Sequence, residues 1–363
     1  MPHDKNKGQS TPSDAVESAR HAGLRYVSDE EPGIRRRRCG SGFAYIDIDG
    51  STVPRGAGRE RIEALVIPPA WQDVWICPRE DGHIQATGRD EEGRKQYLYH
   101  PHWRAHRDLQ KYRRLLDLGP RLPKLRRRIG RELRATGIDK TRVVAGAIRL
   151  LDRVALRVGS EIYAEENESF GITTLRKEHV RLDGNRVRLR FDGKSGIPRD
   201  VTLRDHRLSH LIKDLRRVPG ESLFVFKNGE NGATSEVQLR PDHVNDRLRD
   251  VLDCEVTSKD FRTWAGSVEV LCVLSRSLHV DESERDRVVL EAVDAAAELL
   301  GNLRSTAREF YVHPGLLAAY ETGKLEGLIQ RAKPAGSQPG LRRGEELFLA
   351  VLPELPDGDD EGS

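Results

Sequence analysis

Four side chains in the second half of the chain are of types that act on anions: Arg157 in ALRVGSE, Lys194 in GKSG, Arg262 in KDFRTWAGS and Tyr311 in REFYVHPG. A guanidinium stays charged at any working pH and offers a planar fork to two oxygens of one anion. An ammonium can donate a proton, and a phenol becomes a nucleophile once it loses one, against an ordinary pKa of about 10. Each residue also has an ordinary reading. Arg157 lies at the polar edge of an apolar helical pattern, where an arginine commonly pairs with a surface acid. Lys194, between Gly193 and Gly196, reads as a solvated turn lysine. Arg262, between Phe261 and Trp264, suits a cation-π contact or a salt bridge. Tyr311 reads as a half-buried core tyrosine with a satisfied hydroxyl.

The elements that must position these residues follow from hydrophobic periodicity. In TRVVAGAIRLLDRVALRVG, Val143, Val144, Ala147, Ile148, Leu151, Val154, Ala155 and Val158 recur at three- and four-residue spacing, which predicts a core-facing helix ended by Gly159. HVRLDGNRVRLRFDGKSGIPRDVTL alternates Val187, Leu189 and Phe191 with arginines, which predicts an antiparallel meander with Lys194 in a turn. VNDRLRDVL and VVLEAVDAAAELL predict further helices, the second ending at Gly301. Upstream, short apolar runs broken by Pro-Pro, Asp-Gly and Glu-Gly predict a small β-rich domain. The expected organisation is α+β. A polar, disordered leader (1–20) precedes a β-rich domain (21–100), then a mainly α domain (101–335) with an inserted antiparallel sheet, and last an acidic tail (336–363). With 363 residues the chain is long enough for the cores of about two domains.

The formal net charge is only +3, but it is unevenly spread. Residues 101–160 hold 17 Lys or Arg against 5 Asp or Glu, whereas residues 345–363 hold 7 acidic residues and no basic one. Such asymmetry suggests a polyanionic partner, with a solvated basic face as the plainer alternative. No run approaches the roughly 20 apolar residues that span a bilayer, and the N-terminus lacks an apolar signal core. A cytoplasmic, nucleoid-associated protein is therefore expected. Cys39, Cys77, Cys254 and Cys272 are too scattered for a zinc site or a disulfide framework, so free thiols are expected and no metal site.

In order and spacing, ALRVGSE, ENESFGITTLRKEHV, GKSG, KDFRTWAGS and the Tyr before VHP resemble the type IB DNA topoisomerases, specifically their compact bacterial and poxvirus-like branch. DEEGRKQYLYHPHW resembles that branch's N-terminal DNA-contacting segment. The resemblance covers about residues 20 to 320. It implies the catalytic fold shared by tyrosine recombinases and type IB topoisomerases, in a monomer closing on duplex DNA as a C-shaped clamp. It also implies that Tyr311 attacks a backbone phosphate, forming a 3′-phosphotyrosyl link and releasing a 5′ hydroxyl that later reseals the strand. Arg157 and Arg262 would bind the non-bridging oxygens, and Lys194 would protonate the leaving oxygen. ATP is not needed; a divalent cation can stimulate but is not required.

One departure from the family pattern is Asn302, nine residues before Tyr311, where many members have His. An amide can donate a hydrogen bond but carries no charge, and the plainer reading is a helix cap after Gly301. Lys259, three residues before Arg262, gives K-x-x-R where tyrosine recombinases usually have H-x-x-R. Gln96, Tyr97 and Tyr99 match the family's Q-Y-x-Y element, and with Arg94 and Lys95 they form the expected DNA-contacting set; an edge strand with alternating aromatics is the alternative. Two rival functions share the duplex-DNA partner: a tyrosine site-specific recombinase and a non-catalytic DNA-binding protein.

Overall fold

The computed structural model describes residues 12–159, 161, 164, 168–230, 233–332 and 338–356. The chain divides into two compact units, the first ending at Gln110 and the second beginning at Lys111.

The first unit opens with helix α1 (Pro12–His21) and is built on five antiparallel strands: β1 (Ile34–Cys39), β2 (Gly42–Ile46), β3 (Gln72–Ile76), β4 (Ile84–Arg89) and β5 (Lys95–Tyr99). Their order in the sheet is β2-β1-β3-β4-β5, with β5 at an edge. One face buries Ile34, Val74, Ile76 and Ala86 under Ile62 of α2 (Ala57–Ala64). In the IRRRRC strand, Arg36 is a structural residue. It donates to the carbonyls of Ile67, Pro68 and Trp71 at 3.0, 3.0 and 2.6 Å and lies 4.2 Å from the Phe43 ring centre. It thereby fixes the loop before β3, while Arg35, Arg37 and Arg38 remain exposed.

The expected leader needs correction. Residues 1–11 lie outside the described residues, but Pro12–His21 is helical, with Ala19 fully buried beside Leu24 and Trp103. Ser18 is buried as well, and its Oγ accepts from Gln110 Nε2 at 3.3 Å, so two small residues seat a helix whose otherwise polar composition hides the pattern.

Helix α3 (Pro101–Glu132) starts in the first unit and continues into the second. In the second unit, α4 (Lys140–Val154) is capped by Asp139, whose side chain accepts from Arg142 N at 3.1 Å, a contact worth about 1 kcal/mol. Val143, Val144, Ile148 and Leu151 of α4 are buried, each contributing about 1.5–3 kcal/mol. The helix ends earlier than Gly159. Ala155 turns left-handed at φ 49°, and the following backbone finds partners elsewhere. Ile172 N donates to Arg157 O at 2.9 Å and Thr173 N to Val158 O at 2.7 Å. These long-range bonds override the helical periodicity, so Arg157 stands just past the helix rather than on its edge.

The meander forms as β6 (Val180–Asp183), β7 (Arg186–Asp192) and β8 (Pro198–Arg204), with Val187, Leu189 and Phe191 inward and the intervening arginines outward. Next come α5 (His206–Leu215), a hairpin of β9 (Val225–Glu230) with β10 (Ala233–Gln238) that the periodicity did not predict, and α6 (Pro241–Leu252). The chain continues through α7 (Ser258–Leu274), α8 (Glu282–Leu300), α9 (Arg304–Tyr311), α10 (Pro314–Glu321) and α11 (Leu325–Arg331).

The acidic tail is also corrected in part. Residues 345–352 lie in α12 (Arg343–Val351) and the turn after it, and Phe348 and Val351 are fully buried in the core of the second unit. Phe348 meets Trp264 edge-on at 5.0 Å. Glu345 is a buried ion-pair partner of Arg126 at 2.7 Å, and Arg126 also binds Asp152 at 2.6 Å. Burial would lower the Arg126 pKa, but these two carboxylates raise it above its ordinary value. Residues 357–363, with the DGDDEGS run, lie outside the described residues. All four cysteines are free, and among the described residues no helix is long and apolar enough to cross a membrane.

Candidate active site

The site in the second unit gathers at the carboxyl end of α8. Gly301, at φ 60°, ends the helix: its N–H donates to Glu298 O at 3.2 Å, and Asn302 N donates to Ala297 O at 2.9 Å. This pair of bonds is a Schellman cap. Asn302 is thus both a cap residue and a site residue, because its side chain turns toward two arginines. Its Oδ1 accepts from Nη2 of Arg157 and from Nη2 of Arg262, the latter at 3.3 Å. Two guanidinium donors fix which end of the amide faces them, since an amide nitrogen cannot accept. The buried Nδ2 therefore points away and finds no hydrogen-bond partner among the described residues.

Arg157 also donates to Gly301 O at 3.3 Å. Its backbone is held where ALRVGSE crosses FGITT. Gly159 has φ 98°, and a Cβ on Gly171 would lie 2.5 Å from Gly159 Cα and 2.8 Å from Arg157 O. Only glycine fits this crossing. Arg262, on the second turn of α7, is 3% exposed. It donates to Ala155 O and, at 3.0 Å, to Leu300 O. Burial pushes its pKa down to about 10, with the neighbouring charges of Arg157 and Arg199 acting in the same sense. It still carries its charge at neutral pH.

Tyr311 ends α9, with the Arg262 guanidinium 4.8 Å from its ring centre. Burial acts to raise the phenol pKa. The charges of Arg262, Arg157 and Lys259 outweigh it, and the phenol sits below its ordinary value. Lys259 itself is exposed, one turn before Arg262. The backbone around Tyr311 is clamped. Ser267 Oγ donates to Tyr311 O at 3.4 Å and accepts from His313 N at 3.0 Å, while Tyr112 Oη donates to Val312 O at 2.7 Å. A Cβ on Gly266 would lie 2.7 Å from Tyr311 O, so α7 approaches the nucleophile's backbone through a glycine.

Arg157, Arg262, Asn302 and Tyr311 thus converge, with Lys259 acting on the phenol through its charge. Lys194 is exposed at the tip of the β7–β8 turn, where Ser195 and Gly196 are left-handed at φ 62° and 67°. Ser267, Gly266, Tyr112 and Arg199 join the site beyond the residues expected from the sequence. The -AGS end of KDFRTWAGS held a signal for the first two, because a small-residue pair on an apolar helix invites close backbone approach. Tyr112 and Arg199 carried none.

In the first unit, the DNA-contacting candidates share β5 and the turn before it. Gln96 Nε2 donates to Asp90 Oδ2 at 2.7 Å, and Arg94 Nε lies 2.8 Å from the same carboxylate. Lys95 pairs with Asp29 at 2.7 Å and lies 5.4 Å from the Tyr97 ring centre; Tyr97 and Tyr99 stack at 5.8 Å. Among the described residues no group of three or more His, Cys, Asp or Glu side chains is arranged to hold a metal ion.

Residues 100–332 match the family model described as eukaryotic DNA topoisomerase I, catalytic core, and residues 42–90 match bacterial DNA topoisomerase IB, N-terminal domain. The chain is 30% identical over 294 residues to DNA topoisomerase 1B of Acanthamoeba polyphaga mimivirus, covering 80% of this chain and 88% of the viral one. It is 24% identical over 224 residues to DNA topoisomerase 1 of Mycosarcoma maydis, covering 55% and 22%. Against DNA topoisomerase I of Monkeypox virus it is 22% identical over 136 residues, covering 38% and 43%. A matched catalytic core that contains the whole arginine, asparagine and tyrosine cluster, together with a relative aligned over most of both chains, makes this chain a member of the type IB DNA topoisomerase family.

Proposed function

We propose that the chain relaxes supercoiled duplex DNA by cutting and resealing one strand through Tyr311. The phenol oxygen bonds to a backbone phosphorus as the bond to the 5′ oxygen breaks; the phenol proton leaves to solvent, and Lys194 supplies a proton to the departing 5′ oxygen. Arg157 and Arg262 hold the non-bridging oxygens, whose negative charge grows in the transition state. Once a phosphate takes up the two guanidiniums, the Asn302 amide is free to turn its otherwise unpartnered Nδ2 toward it as an uncharged donor. The phosphotyrosyl link keeps the energy of the original diester, so the freed 5′ hydroxyl can reverse the step without ATP once the strand has swivelled. Neither a metal nor another cofactor is required in this scheme, and the protein acts as a monomer in the cytoplasm, on the nucleoid. Gln96, Tyr97, Tyr99, Arg94 and Lys95 contact the duplex.

The observation that carries this reading is the convergence on one tyrosine of two guanidiniums, tied together by the Asn302 amide, with the charges of Arg262, Arg157 and Lys259 holding the phenol below its ordinary pKa. Lys259 three residues before Arg262 favours relaxation over recombination. The test is incubation with supercoiled plasmid, without ATP and with excess chelator. Relaxed topoisomers and a covalent DNA adduct are expected, and Tyr311→Phe should abolish both while duplex binding persists. Binding without relaxation by the wild type would leave the non-catalytic reading.

A further inference from the structure

The scheme above leaves one buried guanidinium of the same cluster without a role. Arg199, in β8, is 9% exposed and lies five residues after Lys194. Its stem passes over Gly193, where a Cβ would lie 3.3 Å from Arg199 Cγ. Its head crosses Gly301, where a Cβ would lie 2.5 Å from both Cδ and Nη1. Nη1 donates to Glu298 O at 2.9 Å and Nη2 to Leu299 O at 2.8 Å. One side chain therefore runs from the residue before Lys194 to the residue before Asn302.

Core packing does not account for an arginine here. An aliphatic side chain would fill the gap between Gly193 and Gly301 without repelling Arg157, whose charge disfavours the charged form of Arg199 in addition to burial. What a guanidinium adds is a fork that engages two successive carbonyls. The carboxyl end of α8, with its partial negative charge, offsets the crowding of Arg157, Arg199 and Arg262. The turn is closed from the other side by Gly193 N, which donates to Ile197 O at 2.8 Å.

We propose that Arg199 is a positioning residue for proton delivery: it ties the base of the β7–β8 hairpin to the carboxyl end of α8, so that Lys194 and Asn302 address the same phosphate. This inference rests on the transesterification reading. Its test uses the leaving group. A 5′-bridging sulfur departs as a thiolate and needs no proton donor, because a thiol's pKa, about 8.5, lies far below that of an alcohol.

Single-turnover formation of the covalent adduct is measured on duplexes with oxygen or sulfur at the scissile 5′ position. Arg199→Met keeps the stem against Gly193 and loses the fork. It should slow the oxygen substrate about 10²-fold, as a misplacement near 1 Å does, and the sulfur substrate by less than about threefold. Arg199→Lys, able to satisfy one carbonyl, should fall between. Equal slowing on both substrates, or none on oxygen, overturns the proposal. Lys194→Ala must show the same oxygen-only defect; otherwise there is no proton delivery for Arg199 to organise, and the proposal falls. A wild type that forms no adduct with either substrate sinks the transesterification reading itself, an outcome distinct from the others, which all need an active wild type. Should Arg199→Met melt below the assay temperature, Arg199→Lys, which keeps the stem and one donor, decides by the same comparison: slowing on oxygen that exceeds slowing on sulfur supports the proposal, and equal slowing overturns it.

Discussion

At the scale of single residues, the site is a balance between burial and charge. Tyr311 is buried enough to resist ionisation, and Arg262, Arg157 and Lys259 together reverse that resistance. Asn302 explains how two guanidiniums tolerate each other: a neutral amide offers one oxygen to both, which a protonated imidazole could not do. Lys259 is the contributor most easily isolated, because it is exposed and acts on the phenol through its charge. Removing that charge raises the Tyr311 pKa, so at any pH below it a smaller fraction is phenolate. For Lys259→Gln the cleavage rate at pH 7 should fall about three- to tenfold, and the rising limb of the pH–rate profile should move to higher pH, meeting the wild type in alkali. The profile is measured under single-turnover conditions. A uniform slowing with no shift of the limb would mean that Lys259 acts other than through the charge it places near the phenol.

At the scale of elements, α7 is the platform. Asp260, fully buried, pairs with Arg114 at 3.0 Å and caps its own helix by accepting from Thr257 N at 2.8 Å. Two residues later Arg262 enters the site, Trp264 packs on α12, and Gly266 and Ser267 receive the backbone of Tyr311. Gly266→Ala would place a methyl 2.7 Å from Tyr311 O and push the nucleophile off line. Its cleavage rate should fall about 10²-fold with duplex affinity nearly unchanged, since affinity rests on many phosphate contacts elsewhere. A gel-based cleavage assay beside a binding titration checks this, and parallel losses in both would refute it. The same elements mark what a sequence can reveal. RVRLRF read correctly as β7 because a period of two needs no partner to be visible. The end of α4 was misread because the backbone of Arg157 and Val158 is bonded by Ile172 and Thr173, and no local pattern records that. The resemblance points to Tyr311, Arg157 and Arg262 by motif order, and to Asn302 by its place nine residues before Tyr311. The clamps on Tyr311 stayed hidden, since Tyr112 and Val312 are 200 residues apart in sequence.

At the scale of the whole molecule, the basic centre is partly committed internally. Arg114, Arg126, Arg142 and Arg149 pair with Asp260, Glu345 and Asp152, Asp214 and Asp205, so fewer cations are available to phosphates than the count over residues 101–160 implies. Acid challenges both units through histidine. His83 in the first unit is 3% exposed and accepts from Val27 N at 3.0 Å; His313 in the second is 5% exposed and accepts from Gly315 N at 3.1 Å. Burial lowers the pKa of each to about 4, with Lys111 adding to the effect at His313. Unfolded histidine binds a proton near pH 6.5, whereas the folded side chains do so only near 4, so the unfolded chain takes up protons first as the pH falls. Stability that is complete above pH 6.5 should therefore drain between pH 6.5 and 4, by up to about 3 kcal/mol per histidine. Glutamine can supply an acceptor without titrating. His83→Gln and His313→Gln should each melt somewhat lower than wild type at pH 7 yet lose less on going to pH 5, measured as the difference in Tm between the two pH values. Variants that lose as much as wild type would assign acid sensitivity to the paired carboxylates instead.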